Sequence, residues 1–260
     1  MKIGLIGQGA IARYVQDQLG VHGLWPVAIL VRPGRPTGPG ADGVLRVDRV
    51  DDLPRDLDLV ADCAGHAALS EHGPAILGAG IRLLTVSLGA LADADLLDRL
   101  DAAATTGRAR LHLASGAIGA LDCLQAARVG SLDEVTYVGR KPPRGWQGSP
   151  AEQRLDLDNL ATPAVHFEGT ARQAATDYPK NANVAAAVAL AGIGFDATKV
   201  KLVADPGISA NIHEIHAAGD FGRFSFRIEG NPLPDNPQSS RLAAMSVVAA
   251  ILRHQQRVVI

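Results

Sequence analysis

Residues 3 to 12 read Ile3-Gly4-Leu5-Ile6-Gly7-Gln8-Gly9-Ala10-Ile11-Ala12, an apolar run that breaks into closely spaced glycines and resumes with small residues. A buried strand turning through glycine into a helix has this form. Gly7 permits a tight turn, Gly9 puts no side chain in the way of a pyrophosphate, and Ala12 lets the helix lie close on the strand. The phosphates then meet unpaired N–H groups at the helix N-terminus, where the macrodipole favours negative charge. Gly7, Gln8, Gly9, Ala10 and Ile11 are therefore candidate contacts to a dinucleotide. Glycine turns after strands also arise for purely structural reasons, and this one gains weight from its place directly behind a β-type run.

The next predicted strand, Pro26 to Val31, runs into Arg32 where an acid would hold the adenosine ribose of NAD. Arg32 either pairs with the 2′-phosphate of NADP or stands solvated at a strand end. NAD or NADP is thus the expected cofactor.

Strand-like and helix-like segments alternate through the first 115 residues. After the turn come a helix over Ala10 to Leu19, strands at Pro26 to Val31, Val44 to Val47 and Leu57 to Cys63, and a helix around Ala67 to Leu77. Then follow a strand at Arg82 to Ser87, a helix from Asp93 to Thr105, and a strand at Arg110 to Ala114. Short connections imply right-handed crossovers and a parallel sheet, with ligands bound beyond the carboxyl ends of the strands. Gly34 to Gly43, rich in Gly and Pro, reads as a mobile loop. Beyond about residue 130 the pattern changes: Glu134 to Arg140 reads as a strand, 141–146 as a loop, and 151–159 as a polar segment of no clear type. A helix is expected at Asn183 to Ala191 and strands at Lys199 to Ala204 and Asn211 to Ala217. Phe221 to Glu229 alternates apolar and polar residues, the mark of a sheet with one dry and one wetter face. A last helix, Ser239 to Arg253, places Leu242, Met245, Val248, Ala249 and Leu252 at helical spacing and must bury that stripe on the first domain.

The fold class predicted is α/β: an N-terminal Rossmann-type, doubly wound parallel sheet, a second α+β domain, and a C-terminal helix returning to the first. The boundaries fall at 1–118, 119–237 and 238–260. Only 4% of residues are aromatic, which suits close helix-on-sheet packing. A net charge of −2 gives no basic excess for nucleic acid. Cys63 and Cys123, the two cysteines, make neither a four-thiolate zinc site nor a disulfide framework, so a cytoplasmic protein is expected. No signal peptide and no membrane-spanning stretch is read.

Two later segments set polar groups among apolar ones, 178–184 (Tyr-Pro-Lys-Asn-Ala-Asn-Val) and 211–216 (Asn-Ile-His-Glu-Ile-His). On a strand, Asn211 and His213 share one face while Glu214 and His216 share the other. A neutral imidazole suits proton exchange near neutral pH; the alternative is a histidine merely hydrogen-bonded at a surface. Opposed faces argue against a metal held by His213 and His216, and no metal is expected. Lys180 is a rival base or a carboxylate partner, and Asn183 reads equally as a helix N-cap.

Together the motifs resemble one family. Residues 7–12, 114–122 (Ala-Ser-Gly-Ala-Ile-Gly-Ala-Leu-Asp), 179–185 (Pro-Lys-Asn-Ala-Asn-Val-Ala), 211–215, 221–222 and 231–237 (Asn-Pro-Leu-Pro-Asp-Asn-Pro) stand in the order found in L-aspartate dehydrogenases. The resemblance implies a catalytic His213, cofactor contacts at Ala117 and Asn183, and use of NAD or NADP. It implies oxidation of L-aspartate to iminosuccinate, which gives oxaloacetate and ammonia or feeds NAD biosynthesis. Lys180 and Arg140 are the candidate cations for the substrate carboxylates, and a homodimer is expected. The rivals are another Rossmann-type reductase, acting on dihydrodipicolinate or a semialdehyde, and a non-enzymatic NAD(P)-binding sensor with a dimerising second domain.

Overall fold

A computed structural model describes residues 1–258, with all their side chains except those of residues 180, 237 and 238. The chain divides into two compact units, one of Met1–Ala114 together with the segment from Ala243 onward, the other of Ser115–Leu242.

The first unit is a doubly wound sheet. Its elements are β1 (Ile3–Ile6), α1 (Ala10–Val21), β2 (Pro26–Leu30), β3 (Gly38–Pro39), β4 (Leu45–Val47), β5 (Leu59–Asp62), α2 (His66–Gly78), β6 (Arg82–Thr85), α3 (Ala94–Gly107) and β7 (Leu111–Leu113). The strand order is β3-β4-β2-β1-β5-β6-β7. All neighbours are parallel except β3 and β4. The chain winds outward from β1 in both directions, so the turn after β1 sits at the point where strand order reverses, which is where such sheets bind ligands. β1 and β5 are buried along their whole length, as strands covered on both faces must be. Asp93, expected inside a helix, is instead the N-cap of α3: its carboxylate accepts hydrogen bonds from the N–H groups of Asp95 and Leu96. The segment read as a loop at 34–43 carries the short strand β3, paired to β4.

The second unit holds α4 (Leu121–Ala127), β8 (Leu132–Lys141), β9 (Ala164–Thr170), α5 (Ala171–Asp177), α6 (Asn183–Ala191), β10 (Lys199–Ala204), β11 (Asn211–Gly219), β12 (Gly222–Gly230), β13 (Pro232–Leu233) and β14 (Asn236–Ser240). Five of these strands form a mixed sheet ordered β12-β11-β8-β10-β9. Val135, Tyr137 and Gly139 alternate inward along β8, and His213, Ile215 and Ala217 do so beside them on β11. α6 buries Val184, Ala186, Val188 and Ala189 among others, its small side chains allowing close helix packing. β12 keeps the expected alternation, with Arg223, Ser225, Arg227 and Glu229 exposed. Phe224, Phe226 and Ile228 are only half-buried, because β12 is an edge strand with a single neighbour.

The last helix, α7 (Arg241–Arg253), begins two residues later than expected, since Ser239 and Ser240 belong to β14. It does return to the first unit, where Val247, Val248 and Ile251 join the core around Ile3, Leu5 and Leu19. Its buried stripe is Ala244, Val247, Val248 and Ile251, while Met245 and Ala249 face solvent. Each fully buried valine or isoleucine contributes about 1.5–3 kcal/mol, enough to hold one helix of this length in place. Among the described residues no helix is long and apolar enough to cross a membrane.

Candidate active site

In the first unit the glycine turn joins β1 to α1. Gly7 has φ 92°, in the left-handed region, and its N–H donates to Leu30 O at 2.9 Å. A β-carbon on Gly7 would lie 2.9 Å from that of Ala64. Gly7 is therefore fixed twice, by backbone conformation and by close approach of the loop after β5. Gly9 differs: it is the N-cap of α1 at φ −74°, and a β-carbon there would meet nothing within 4 Å. Packing places no demand for glycine at this position. What the missing side chain leaves open is the approach to the N-terminus of α1, where a nucleotide phosphate fits.

The loop that meets Gly7 is held by Asp62. Its buried carboxylate accepts from Thr85 Oγ1 (2.8 Å), Ser87 Oγ (2.7 Å) and the Ala64 N–H (2.9 Å). Burial raises its pKa, against the opposing pull of these donors. The bonds tie the carboxyl ends of β5 and β6 together at the sheet edge where the turn lies. Arg32 is exposed just beyond β2, and no ion pair to it forms among the described residues.

In the second unit His213 is 5% exposed, and its Nδ1 lies 2.8 Å from the hydroxyl of Tyr137. The two rings are stacked, 6.0 Å apart. Register accounts for the pairing: His213 opposes Gly139, and Tyr137 opposes Ile215. The tyrosine ring lies over the gap that Gly139 leaves, since a β-carbon there would stand 2.7 Å from the tyrosine hydroxyl. Desolvation first, and the nearby Lys141 ammonium second, hold the imidazole down to about 3. Burial pushes the Tyr137 phenol above its ordinary range. Both groups are thus neutral at physiological pH. His216, three residues on, is exposed and hydrogen-bonded to Ser225 Oγ.

The second unit also holds a cavity of about 760 Å³, whose lining includes Lys141, Arg144, Asp177, Tyr178, Asn181 and Asn211; Tyr137 and His213 do not line it, and Asn211 lies two residues from His213 on β11. Lys141 ends β8 on the face that carries Tyr137 and Gly139. Its Nζ donates to Asn181 Oδ1 and sits 5.0 Å from the centre of the Trp146 ring. Desolvation lowers its ammonium to about 8. Trp146 is itself fixed by its N–H bond to Val203 O at 3.0 Å and packs edge-on against His166, 4.3 Å away. His166 Nδ1 meets the Tyr178 hydroxyl at 3.1 Å, and burial holds that imidazole down to about 4.

The expected site residues therefore fall in two groups. Gly7, Gln8, Gly9, Ala10, Ile11 and Arg32 gather at one edge of the first sheet, while Ala117, Asn183 and His213 lie in the second unit. Ala117 is buried in the loop before α4. Asn183 is the first residue of α6, with Ala182 and not Asn183 at the N-cap. None of Ala117, Asn183 and His213 lines the cavity. Arg140 is paired with Asp205 at 2.9 Å and does not line the cavity. The Lys180 side chain lies outside the described residues. Tyr137 and Lys141 are site residues that the sequence reading did not single out. The alternation 135, 137, 139, 141 along β8 was the available signal, hidden where Pro142 and Pro143 make Lys141 look like part of a loop. Among the described residues no cluster of three metal-binding side chains occurs.

A nucleotide turn at the switch point of one unit and a shielded imidazole in the other define a class, the two-domain NAD(P)-binding oxidoreductases of α/β fold. Residues 3–114 match the family model of the homoserine dehydrogenase NAD binding domain. Residues 122–254 match that of the aspartate dehydrogenase C-terminal domain. The chain is 57% identical to an L-aspartate dehydrogenase of Ruegeria pomeroyi, over 96% of this chain and 91% of that one. It is 46% identical to one of Cupriavidus necator, over 96% of each. The crystal structure of aspartate dehydrogenase from Thermotoga maritima superposes with a TM-score of 0.76 at 28% identity, covering 100% of this chain and 99% of the other. The chain belongs to the L-aspartate dehydrogenase family.

Proposed function

We propose that this protein catalyses the NAD- or NADP-dependent oxidative deamination of L-aspartate, through iminosuccinate, to oxaloacetate and ammonia. The observation that carries the reading is His213, buried beside Tyr137 within the family's C-terminal domain. When bound, the nicotinamide accepts the hydride from Cα of the amino acid. Gly7, Gln8, Gly9, Ala10 and Ile11 would hold the pyrophosphate at the N-terminus of α1, and Arg32 would meet a 2′-phosphate where one is present. Ala117 and Asn183 are assigned to the nicotinamide end, where the Asn183 amide suits a carboxamide partner.

His213 takes a proton from the water that attacks the imine carbon and returns it to the leaving amine as the carbinolamine collapses. In the tautomer competent for this, Nδ1–H donates to the Tyr137 oxygen and Nε2 keeps its lone pair. Burial and Lys141 both disfavour the imidazolium in the bare site. A substrate with two carboxylates offsets that penalty, so His213 becomes an effective base only when the substrate is present.

Several observations support a homodimer in the cytoplasm. Phe224, Phe226 and Ile228 are half-covered on an edge strand, Phe221 is 44% exposed beside them, and both cysteines are free. The functional reading is tested by supplying the purified protein with L-aspartate, L-homoserine, L-alanine and L-glutamate, each with NAD and with NADP. Selective reduction of either cofactor with L-aspartate is the expected outcome. Turnover of homoserine in place of aspartate would contradict it.

A further inference from the structure

Five of the second unit's cations are matched in ion pairs. Arg140 meets Asp205, Arg172 meets Asp196, Lys199 meets Glu134, Lys201 meets Glu168, and Arg227 meets Glu214 and Glu229. Lys141 makes no such pair among the described residues, and unlike the exposed Arg128, Arg144, Arg154 and Arg223 it is withdrawn from solvent. It is half-buried at the cavity, and its ammonium has an amide oxygen and an aromatic ring for partners. No carboxylate among the described residues stands within ion-pair distance of it. Asp177, the one acid among the lining residues, is not paired with it either. An ammonium withdrawn from water without an anion is unfavourable, and such a group persists where a ligand supplies the missing charge.

The geometry around it suits a carboxylate. Asn181 accepts the lysine hydrogen bond through Oδ1, and its backbone N–H is tied to Tyr178 O at 2.8 Å. This fixes the amide and leaves its NH₂ as a second donor on the cavity wall. Arg144 adds a further positive charge to the same lining. The Trp146 face steadies the ammonium without neutralising it. Asn211, which shares a strand face with His213, also borders the cavity, so a ligand held here lies on the histidine's side of the sheet.

We propose that Lys141 is the specificity-determining cation that receives the side-chain carboxylate of the substrate, with Asn181 as its positioning partner. The proposal rests on the aspartate reading and deepens it: the two carboxylates of the substrate are distinguished because one of them completes a charge pair that the protein leaves open.

The test is steady-state kinetics of the wild type, Lys141→Met and Lys141→Arg with L-aspartate and with L-alanine, together with inhibition of the wild type by succinate and by butanoate. Lys141→Met keeps the length of the side chain and its cover over Trp146. Loss of a charge-assisted contact of this kind raises KM for L-aspartate roughly 10- to 100-fold. The proposal expects that rise with kcat within about threefold, a collapsed preference for aspartate over alanine, and substantial recovery in Lys141→Arg. It also expects succinate to inhibit the wild type at least about tenfold more strongly than butanoate, a readout that needs no variant to fold. An unchanged KM, or a fall in kcat at constant KM that arginine does not rescue, would overturn it, the latter marking Lys141 as an acid–base group instead. Equal inhibition by the two acids would overturn it too. If the wild type oxidises no L-aspartate, the functional reading itself fails; if it does and KM survives in Lys141→Met, only this inference fails.

Discussion

Tyr137→Phe removes one oxygen atom and nothing else from the site. That oxygen is the hydrogen-bond partner of His213 Nδ1 at 2.8 Å, and the two residues are 2% and 5% exposed, so water does not replace it. Leaving a buried polar nitrogen without a partner is unfavourable by about 1–3 kcal/mol. The ring also loses the contact that selects its tautomer and orientation. If that loss falls on the transition state, kcat drops roughly 5- to 150-fold, at 1.36 kcal/mol per factor of ten. KM for L-aspartate and affinity for the reduced cofactor should barely change, since neither depends on this hydroxyl. Gly139→Ala should reproduce the defect from the other side, because its β-carbon would stand 2.7 Å from the same oxygen. The assays are steady-state kinetics, calorimetric titration with NADH or NADPH, and nitrogen NMR of the imidazole, which reports tautomer directly. A Tyr137→Phe protein with kcat within twofold of wild type and an unaltered tautomer would refute the reasoning.

Three further outcomes follow from the same geometry. Gly9→Val leaves the fold intact, since a β-carbon there meets nothing within 4 Å, but weakens cofactor binding severely; calorimetry with NADH checks it, and unchanged affinity would make the turn purely structural. Arg32→Ala raises KM for NADP more than for NAD, by the roughly 1.5–3 kcal/mol of a charge-assisted phosphate contact, and equal effects on both cofactors would mean that Arg32 points elsewhere. The third concerns pH. His213 and His166 are held down to about 3 and about 4 in the folded protein, so between pH 6.5 and 4 the unfolded chain binds protons at both while the native chain binds neither, and stability falls on acidification. The His213 contribution at pH 5 is about 2 kcal/mol; urea unfolding across this range should show a shallower acid limb in His213→Gln, and an identical limb would refute it.

The first unit was legible because its signals are local. Strand and helix alternate, and Gly7 and Gly9 mark the ligand end of the sheet before any tertiary contact is known. The second unit was read less fully. β9 and α5 went unassigned although Thr170 and Gln173 form a capping box, a signal that does stand in the sequence. In α7 the hydrophobic spacing admits two neighbouring stripes, and only packing against the first unit selects Ala244, Val247, Val248 and Ile251. His213 was legible from strand alternation, which turns His216 outward. Its partner was not, because the Tyr137 contact spans 76 residues and depends on the space left by Gly139. Arg140 and Lys141 are adjacent on β8, and alternation sends one to Asp205 and the other to the cavity.

The most direct test of the whole account is the rate of NADH or NADPH formation from L-aspartate by wild type, His213→Ala and His216→Ala, measured side by side at neutral and alkaline pH. The account predicts steady turnover by the wild type, a loss of about 10²–10⁴-fold in kcat for His213→Ala with cofactor affinity preserved, and a mild effect for His216→Ala. No aspartate-dependent reduction of either cofactor, or a crippled His216→Ala beside an active His213→Ala, would contradict it.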